Sequence, residues 1–504
     1  MLRKMTALGF AVCLLYGAVA ASQEDIPRGP CGSKPVAPPQ FRKGGEGVPP
    51  LPLPATPLRR TERKRPPSPP VLIAKIQFGS LKELKVSDGI LHYFDWNKDP
   101  ADIPNLLNDA AERALNIHYT WKCGPLDAFT TDPSQYPIYY YTGSDDFTLS
   151  DADAERLREY VRAGGVIWGD TALGDPDFFK AFVREMSKVL PDRHFHRLNA
   201  DHPLFNCYYP ISKVSYNRPV PDAPNGEPVF YGVDLGARTA ILLSRYGLSC
   251  GWDGHTRAGA YTVNPNDARK LGVNMIAYAL AMYPISIYQG TAKIYYQEEE
   301  RPRGEFVLAQ ARIGENWDSQ FNEIASLLKT TATQTSAEIK FERKVVDLGK
   351  SDLQNYPFLY ITGEYDFTLN AVEKRALKSY LAAGGFILAS PSCGSREFDR
   401  AFRREVAGLL PGHPLQPLPV NHPVYSILNK IQGVGYAEYV EKSGETPPSL
   451  PLEGVSIGAA TPIIYCPYGI GGGWRGFDNP FGRDIASEDA TRLGVNIILY
   501  AMTH

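Results

Sequence analysis

The chain has 504 residues, 43% hydrophobic and 21% charged, which leaves room for two or three globular domains. A net charge of −2 removes any general electrostatic reason to expect nucleic-acid binding. The 29 Tyr and 22 Phe read as core and strand filling, because aromatic rings suit pleated, half-buried surfaces.

The N-terminus reads as a secretory signal over residues 1–20. Arg3 and Lys4 supply the charged start, Ala7 to Ala20 the apolar run, and Ala18-Val19-Ala20 a small-x-small cleavage site. Left uncleaved, the same run would act as an anchor, and this is the one membrane link expected. No later segment reads as long and apolar enough to cross a bilayer. Export, to a periplasm or beyond, permits disulfides. Yet Cys31, Cys123, Cys207, Cys250, Cys393 and Cys466 form no CxxC pair, and none matches a cysteine of the repeat described below, so isolated thiols are expected. Residues 21–70 are rich in Pro and Gly and read as a disordered linker carrying a basic cluster, Arg59 to Arg65.

Ordered structure is expected from Val71. Tyr136 to Pro203 returns as Tyr356 to Pro423 at a constant offset of 220, with 26 of 68 residues identical. Each copy opens on an apolar strand, at Val71 to Ile76 or Phe306 to Ala311. A loop with Trp96 or Trp317 follows, then an amphipathic helix at Ile103 to Leu107 or Ile324 to Leu328. Ile138 to Thr142 and Phe358 to Thr362 lack polar alternation, as strands covered on both faces do. Ser150 with Asp153, and Asn370 with Glu373, have the spacing of a capping box. Gly164-Gly165 and Gly384-Gly385 are placed to end the helix that follows. Val166 to Trp168 and Phe386 to Leu388 are the next strands. Thr239 to Ser244 and Thr461 to Cys466 come later, before turns ending in Trp252 and Trp474. The offset reaches only 222 there, which predicts tiny insertions between the copies.

This alternation predicts an α/β class: two tandem flavodoxin-like three-layer α/β/α sandwiches with mostly parallel sheets. The expected domains are 71–285 and 305–504, with 286–304 as a hinge or edge strand.

The ordered set of YPxxYxTG, FTL, GG, HP, a GW turn and LGVN resembles a bacterial family, domain of unknown function 4159, in both copies. The resemblance implies a fold related to class I glutamine amidotransferases. It implies no activity. In that fold a nucleophile would stand on a G-x-C-x-G elbow after the strand that follows the GG pair. The first copy has Gly169-Asp170-Thr171-Ala172-Leu173-Gly174 there, and the second Ala389-Ser390-Pro391-Ser392-Cys393-Gly394. Cys393 is thus near the right place, with Pro391 and the missing glycine against it, and His422 is its one plausible base.

Other candidates come from position. Asp146 and Asp366 follow buried strands at the edge where open α/β sheets bind ligands. Asp146, Asp170 and His202 form a candidate catalytic set for the first copy, in which the two aspartates would be the carboxylate pair of a glycosidase. His202 and His422 each precede a proline, which holds them extended to cap a turn or line a cleft. Tyr246 with Trp252, and Tyr468 with Trp474, are candidate sugar or peptide platforms, with core packing as the rival reading. No HExxH, no ligand spacing for a metal and no phosphate loop is recognised, so no metal or cofactor is expected. Catalytic positions do not match across the copies. The expected function is therefore a non-catalytic binding or assembly module of the cell envelope, with an envelope protein or glycan as partner. The alternative is a hydrolase of carbohydrate or amide bonds with one active copy. The copies could also pack about a pseudo-twofold axis.

Overall fold

The computed structural model describes residues 69–86, 89–296, 306–320, 323–335, 339–476 and 478–504. The signal segment, almost all of the linker and Cys31 lie outside the described residues.

The first copy runs β1 (Val71–Gln77), β2 (Leu81–Val86), β3 (Gly89–Phe94), α1 (Asp102–Asn108), β4 (Thr120–Pro125), β5 (Ile138–Gly143), α2 (Asp151–Arg162), β6 (Val166–Thr171), α3 (Pro176–Val189), β7 (His196–Arg197), β8 (Phe230–Asp234), β9 (Thr239–Ser244), α4 (Ser249–Asp253) and α5 (Pro265–Tyr296). The second copy has β10 (Phe306–Ala311), α6 (Glu323–Gln334), β11 (Ile339–Val346), β12 (Phe358–Gly363), α7 (Ala371–Ala382), β13 (Phe386–Pro391), α8 (Arg396–Leu409), β14 (Gln416–Pro417), α9 (Glu438–Lys442), β15 (Glu453–Ile457), β16 (Ala460–Tyr465), α10 (Gly471–Trp474) and α11 (Ser487–Thr503).

Both copies build a seven-stranded sheet of the same order, β4-β1-β5-β6-β9-β8-β7 and β11-β10-β12-β13-β16-β15-β14. Five strands are parallel and the last two add on antiparallel. The parallel part has the flavodoxin-like order. Alternate side chains of each strand enter opposite cores. Tyr140 and Trp168 pack with Leu106, Trp252 and Leu271 on one face. Tyr139, Tyr141 and Ile167 pack with Leu157, Phe178 and Phe182 on the other. Every residue of β5 and β6 is buried, which accounts for their unbroken apolar text.

The expected caps form. Ser150 accepts from the Asp153 amide, and Asn370 with Glu373 completes a capping box. After α2 the chain turns at Gly164 with φ +116°, and a Cβ on Gly165 would lie 2.2 Å from the Tyr160 ring. Gly385 stands in the same relation to Tyr380, at 2.4 Å.

Three expectations fail. The insertions are not all tiny: the copies differ by 235 positions at the first strand (Ile73 against Leu308 in register) and by 221 at Trp96 and Trp317. The 14 extra residues of the first copy make the antiparallel β2–β3 hairpin. Residues 286–296 are not a hinge or strand but the continuation of α5. Ser286 packs on Gly164, and Gln289 packs on Gly236 and bonds to Ser319 of the second copy. Finally, Pro265–Gln289 is long and apolar enough to cross a membrane by length and composition, with a mean hydropathy of 1.4. Its apolar positions, Leu271, Val273, Met275 and Ile276 among them, are spent on the first domain's core.

Candidate functional site

The strand-end edge of the second sheet faces the first copy, and a cavity of about 250 Å³ lies between them. Its floor is the turn after β13. Cys393 takes φ +50°, Gly394 follows at φ +66°, and Ser395 caps α8. A Cβ on Gly394 would sit 2.2 Å from the Arg483 carbonyl, so glycine is required there. A non-glycine residue at positive φ stores on the order of 1–3 kcal/mol and invites a functional reading. Leu173 of the first copy holds the same conformation at φ +64°, however, with no reactive group. The strain belongs to the turn that both copies fold, not to a nucleophile.

Cys393 Sγ accepts hydrogen bonds from Asn479 Nδ2 at 3.0 Å and Gln320 Nε2 at 3.4 Å. Burial pushes its thiol well above the ordinary value, and the charges of Asp484 and Glu364 add to that. Among the described residues nothing beside it takes its proton. His422 Nδ1 accepts the Val424 amide at 3.2 Å and its Nε2 pairs with Thr461 Oγ1 at 3.2 Å. The proposed Cys393–His422 pair does not form, because both ring nitrogens are committed to holding a turn. His202, which does line the cavity, is engaged in the same way with Leu204 and Thr239. Burial pulls its imidazole down to about 4, so it is neutral at physiological pH.

The remaining candidates are dispersed. Asp146 lies on the surface in an ion pair with Arg184 at 2.7 Å, and Asp366 repeats this with Arg404 at 2.9 Å. Asp170 is buried, and its carboxylate accepts the Leu248 and Ser249 amides at 2.8 and 3.0 Å. Burial raises it to about 7. Ser390 Oγ accepts the Ile470 amide at 3.2 Å, so the differing residues perform the same tie between strand end and turn. Asp146, Asp170 and His202 therefore make no common site. Trp252 and Trp474 are no platforms: each is core, packed 5.9 and 5.5 Å from Tyr140 and Tyr360. Their indoles donate to Ala268 and Ala490 carbonyls. Tyr246 and Tyr468 are nearly buried alongside Tyr216 and Tyr436.

The sequence reading missed the wall groups. Glu364, at the end of β12, is bound by Asn316 Nδ2 at 2.5 Å and held well above the usual carboxylate range by burial. Tyr365 donates to Asp234 of the first copy and contacts His196 Nε2 at 2.8 Å. Arg193 Nη2 donates to both Asp318 oxygens at 3.1 and 3.2 Å, and Asn199 reaches Glu397 at 3.0 Å. Tyr278 of α5 stacks on Phe481. Arg483 and Arg396 share Glu445 on the far wall. Residues more than 120 positions apart meet here, so no local motif could have announced them. Beneath lies Asp484, about 1% exposed, with neither oxygen hydrogen-bonded among the described residues. Burial raises it to about 7.

Fold and site together define a tandem mixed-sheet α/β protein in which one copy closes the strand-end edge of the other. The chain belongs to the family described as domain of unknown function (DUF4159), which matches residues 81–280 and 307–502. No curated protein matches the sequence. Among solved structures, the alpha-L-fucosidase isoenzyme 2 from Paenibacillus thiaminolyticus is similar at 16% identity over 46% of this chain, with a TM-score of 0.20. This chain spans 37% of that protein's length, and a likeness at that score carries no argument.

Proposed function

We propose that the chain is a non-catalytic binding module of the cell envelope, whose two copies form one site for a small polar ligand such as a sugar unit of an envelope glycan. The observation that carries this reading is the cavity between the copies, walled by Asp201, Asp234 and Tyr278 on one side and by Asn479, Phe481 and Arg483 on the other. The half-buried Phe481 among carboxylates, amides and guanidinium groups suits a ligand with one apolar face and a rim of hydroxyls. The export half of the proposal rests on the sequence of residues 1–20.

A hydrolase remains the alternative. The strand order and the strained turn at Cys393 support a relation in fold to class I glutamine amidotransferases. Against activity stands the uncommitted base that a thiol nucleophile needs and that Cys393 lacks. The test is ligand-observed NMR of residues 21–504 with a panel of mono- and disaccharides, alongside chromogenic amide and glycoside substrates. The expected result is binding by a subset of the sugars that Asn479→Ala weakens, without turnover. Turnover that Cys393→Ser abolishes would establish the hydrolase instead.

A further inference from the structure

At the strand-end edge of the first copy, three residues far apart in sequence converge: Asp99, Cys250 and His255. Their ligand atoms all lie within 4.8 Å of one another. Cys250 Sγ is 3.3 Å from Asp99 Oδ2, and His255 Nε2 is 3.3 Å from Asp99 Oδ1. Separations near 3.3 Å are those of neighbouring ligands around a tetrahedral ion with bonds of about 2.0–2.3 Å. Asp99 and Cys250 are buried, and His255 is about 40% exposed, which leaves a path from solvent.

We propose that Asp99, Cys250 and His255 bind one zinc-type divalent cation. A thiolate, an imidazole and a carboxylate together select a borderline metal over calcium or magnesium, which prefer oxygen ligands alone. The surroundings are those of a ligand set. Ser249 Oγ donates to Asp99 Oδ2 at 2.7 Å and Arg257 to Oδ1 at 2.7 Å, while the Asp99 carbonyl accepts from the buried Lys75 at 3.3 Å. Such bonds orient a ligating carboxylate and leave each oxygen a further lone pair. The balance is simple. The ion replaces the thiol proton that Cys250 directs at Asp99, and this proton leaves to solvent. His255 would coordinate through Nε2, the nitrogen that faces Asp99. Protein donors fill three positions, and the fourth is left for water. Arg257 extends from the site to a surface depression of about 630 Å³ lined also by Asp175, Tyr246 and Tyr261.

The second copy is an internal contrast. The positions of Asp99, Cys250 and His255 become Gln320, Gly472 and Phe477, so the whole donor set is absent there. The site would therefore bind one ion per chain.

The test is Zn(II) titration of the full chain against a competing chelator, with Co(II) as a spectroscopic probe. The expected result is one equivalent per chain and a thiolate-to-cobalt charge-transfer band. His255→Ala and Cys250→Ser should each weaken binding about tenfold or more and remove or alter the band. Cys207→Ser, remote from the cluster, should bind as wild type. His255 is partly exposed, so its variant should fold, and circular dichroism confirms that independently if Cys250→Ser does not. An adventitious ion only, with no stoichiometric binding, would overturn the proposal. So would a folded His255→Ala variant that binds one equivalent with undiminished affinity.

Discussion

Cys393 is half-buried beside two acids, and among the described residues no free base lies next to it, so it should react slowly. Iodoacetamide treatment of the native chain, read by peptide mass spectrometry, should label Cys393 at least tenfold more slowly than the exposed Cys123. Asp484 gives a second expectation. Its folded pKa is about 7 against an ordinary 3.8. The folded chain thus holds a proton that the unfolded chain releases near pH 4, and this group's contribution to stability falls as pH rises from about 4 to 7. Asp484→Asn should then be more stable than wild type at pH 8 by on the order of 4 kcal/mol, and the gap should close by pH 4. Denaturant melts at the two pH values check this. Neither environment was legible in the sequence. The thiol's position after a strand could be read from the motif, but its neighbours Asn479, Gln320 and Glu364 come from three other segments. Asp170 and Ser390 looked like a lost catalytic pair because their shared role, bonding a turn amide, lies about 80 positions away.

Elements were far more legible, because each carries its own signal. Unbroken apolar runs marked β5, β6, β12 and β13, and the GG pairs marked the ends of α2 and α7. The second glycine of each pair serves close approach: Gly165→Ala and Gly385→Ala would drive a methyl into a tyrosine ring. Each should cost about 2–4 kcal/mol in a thermal or urea melt. A smaller cost would mean that the ring moves aside readily. The elements misread were those without internal contrast. Residues 286–296 follow Pro284, a residue that argues for an ending, yet helix α5 continues because Ile285, Ser286 and Gln289 find buried contacts. The β2–β3 hairpin escaped notice because it alternates weakly and has no twin. It belongs to the first copy's own edge, where Lys82 pairs with Asp145 and Phe94 packs on Trp96.

At the scale of the molecule, the two copies meet through different surfaces. Arg193, His196, Asp234 and Gly236 of the first contact Asn316, Asp318, Glu364 and Tyr365 of the second. Arg193 corresponds to His413 and Tyr365 to Asp145, so the contact is heterologous and no pseudo-twofold axis relates the copies. This arrangement lets two copies of one fold enclose a single cavity: the second copy supplies the floor and the first its cover. Arg193→Glu places like charges at Asp318 and should loosen the cover. Amide hydrogen exchange over residues 392–397 should then rise severalfold while the sheet interiors stay protected. The measurement that addresses the central claim most directly is titration of a bound saccharide against variants of each wall, Asp201→Ala from the first copy and Asn479→Ala from the second. A site composed by both copies predicts that each substitution weakens the same ligand by about tenfold, roughly 1.4 kcal/mol, with no turnover in either. Binding that is indifferent to one wall would contradict it.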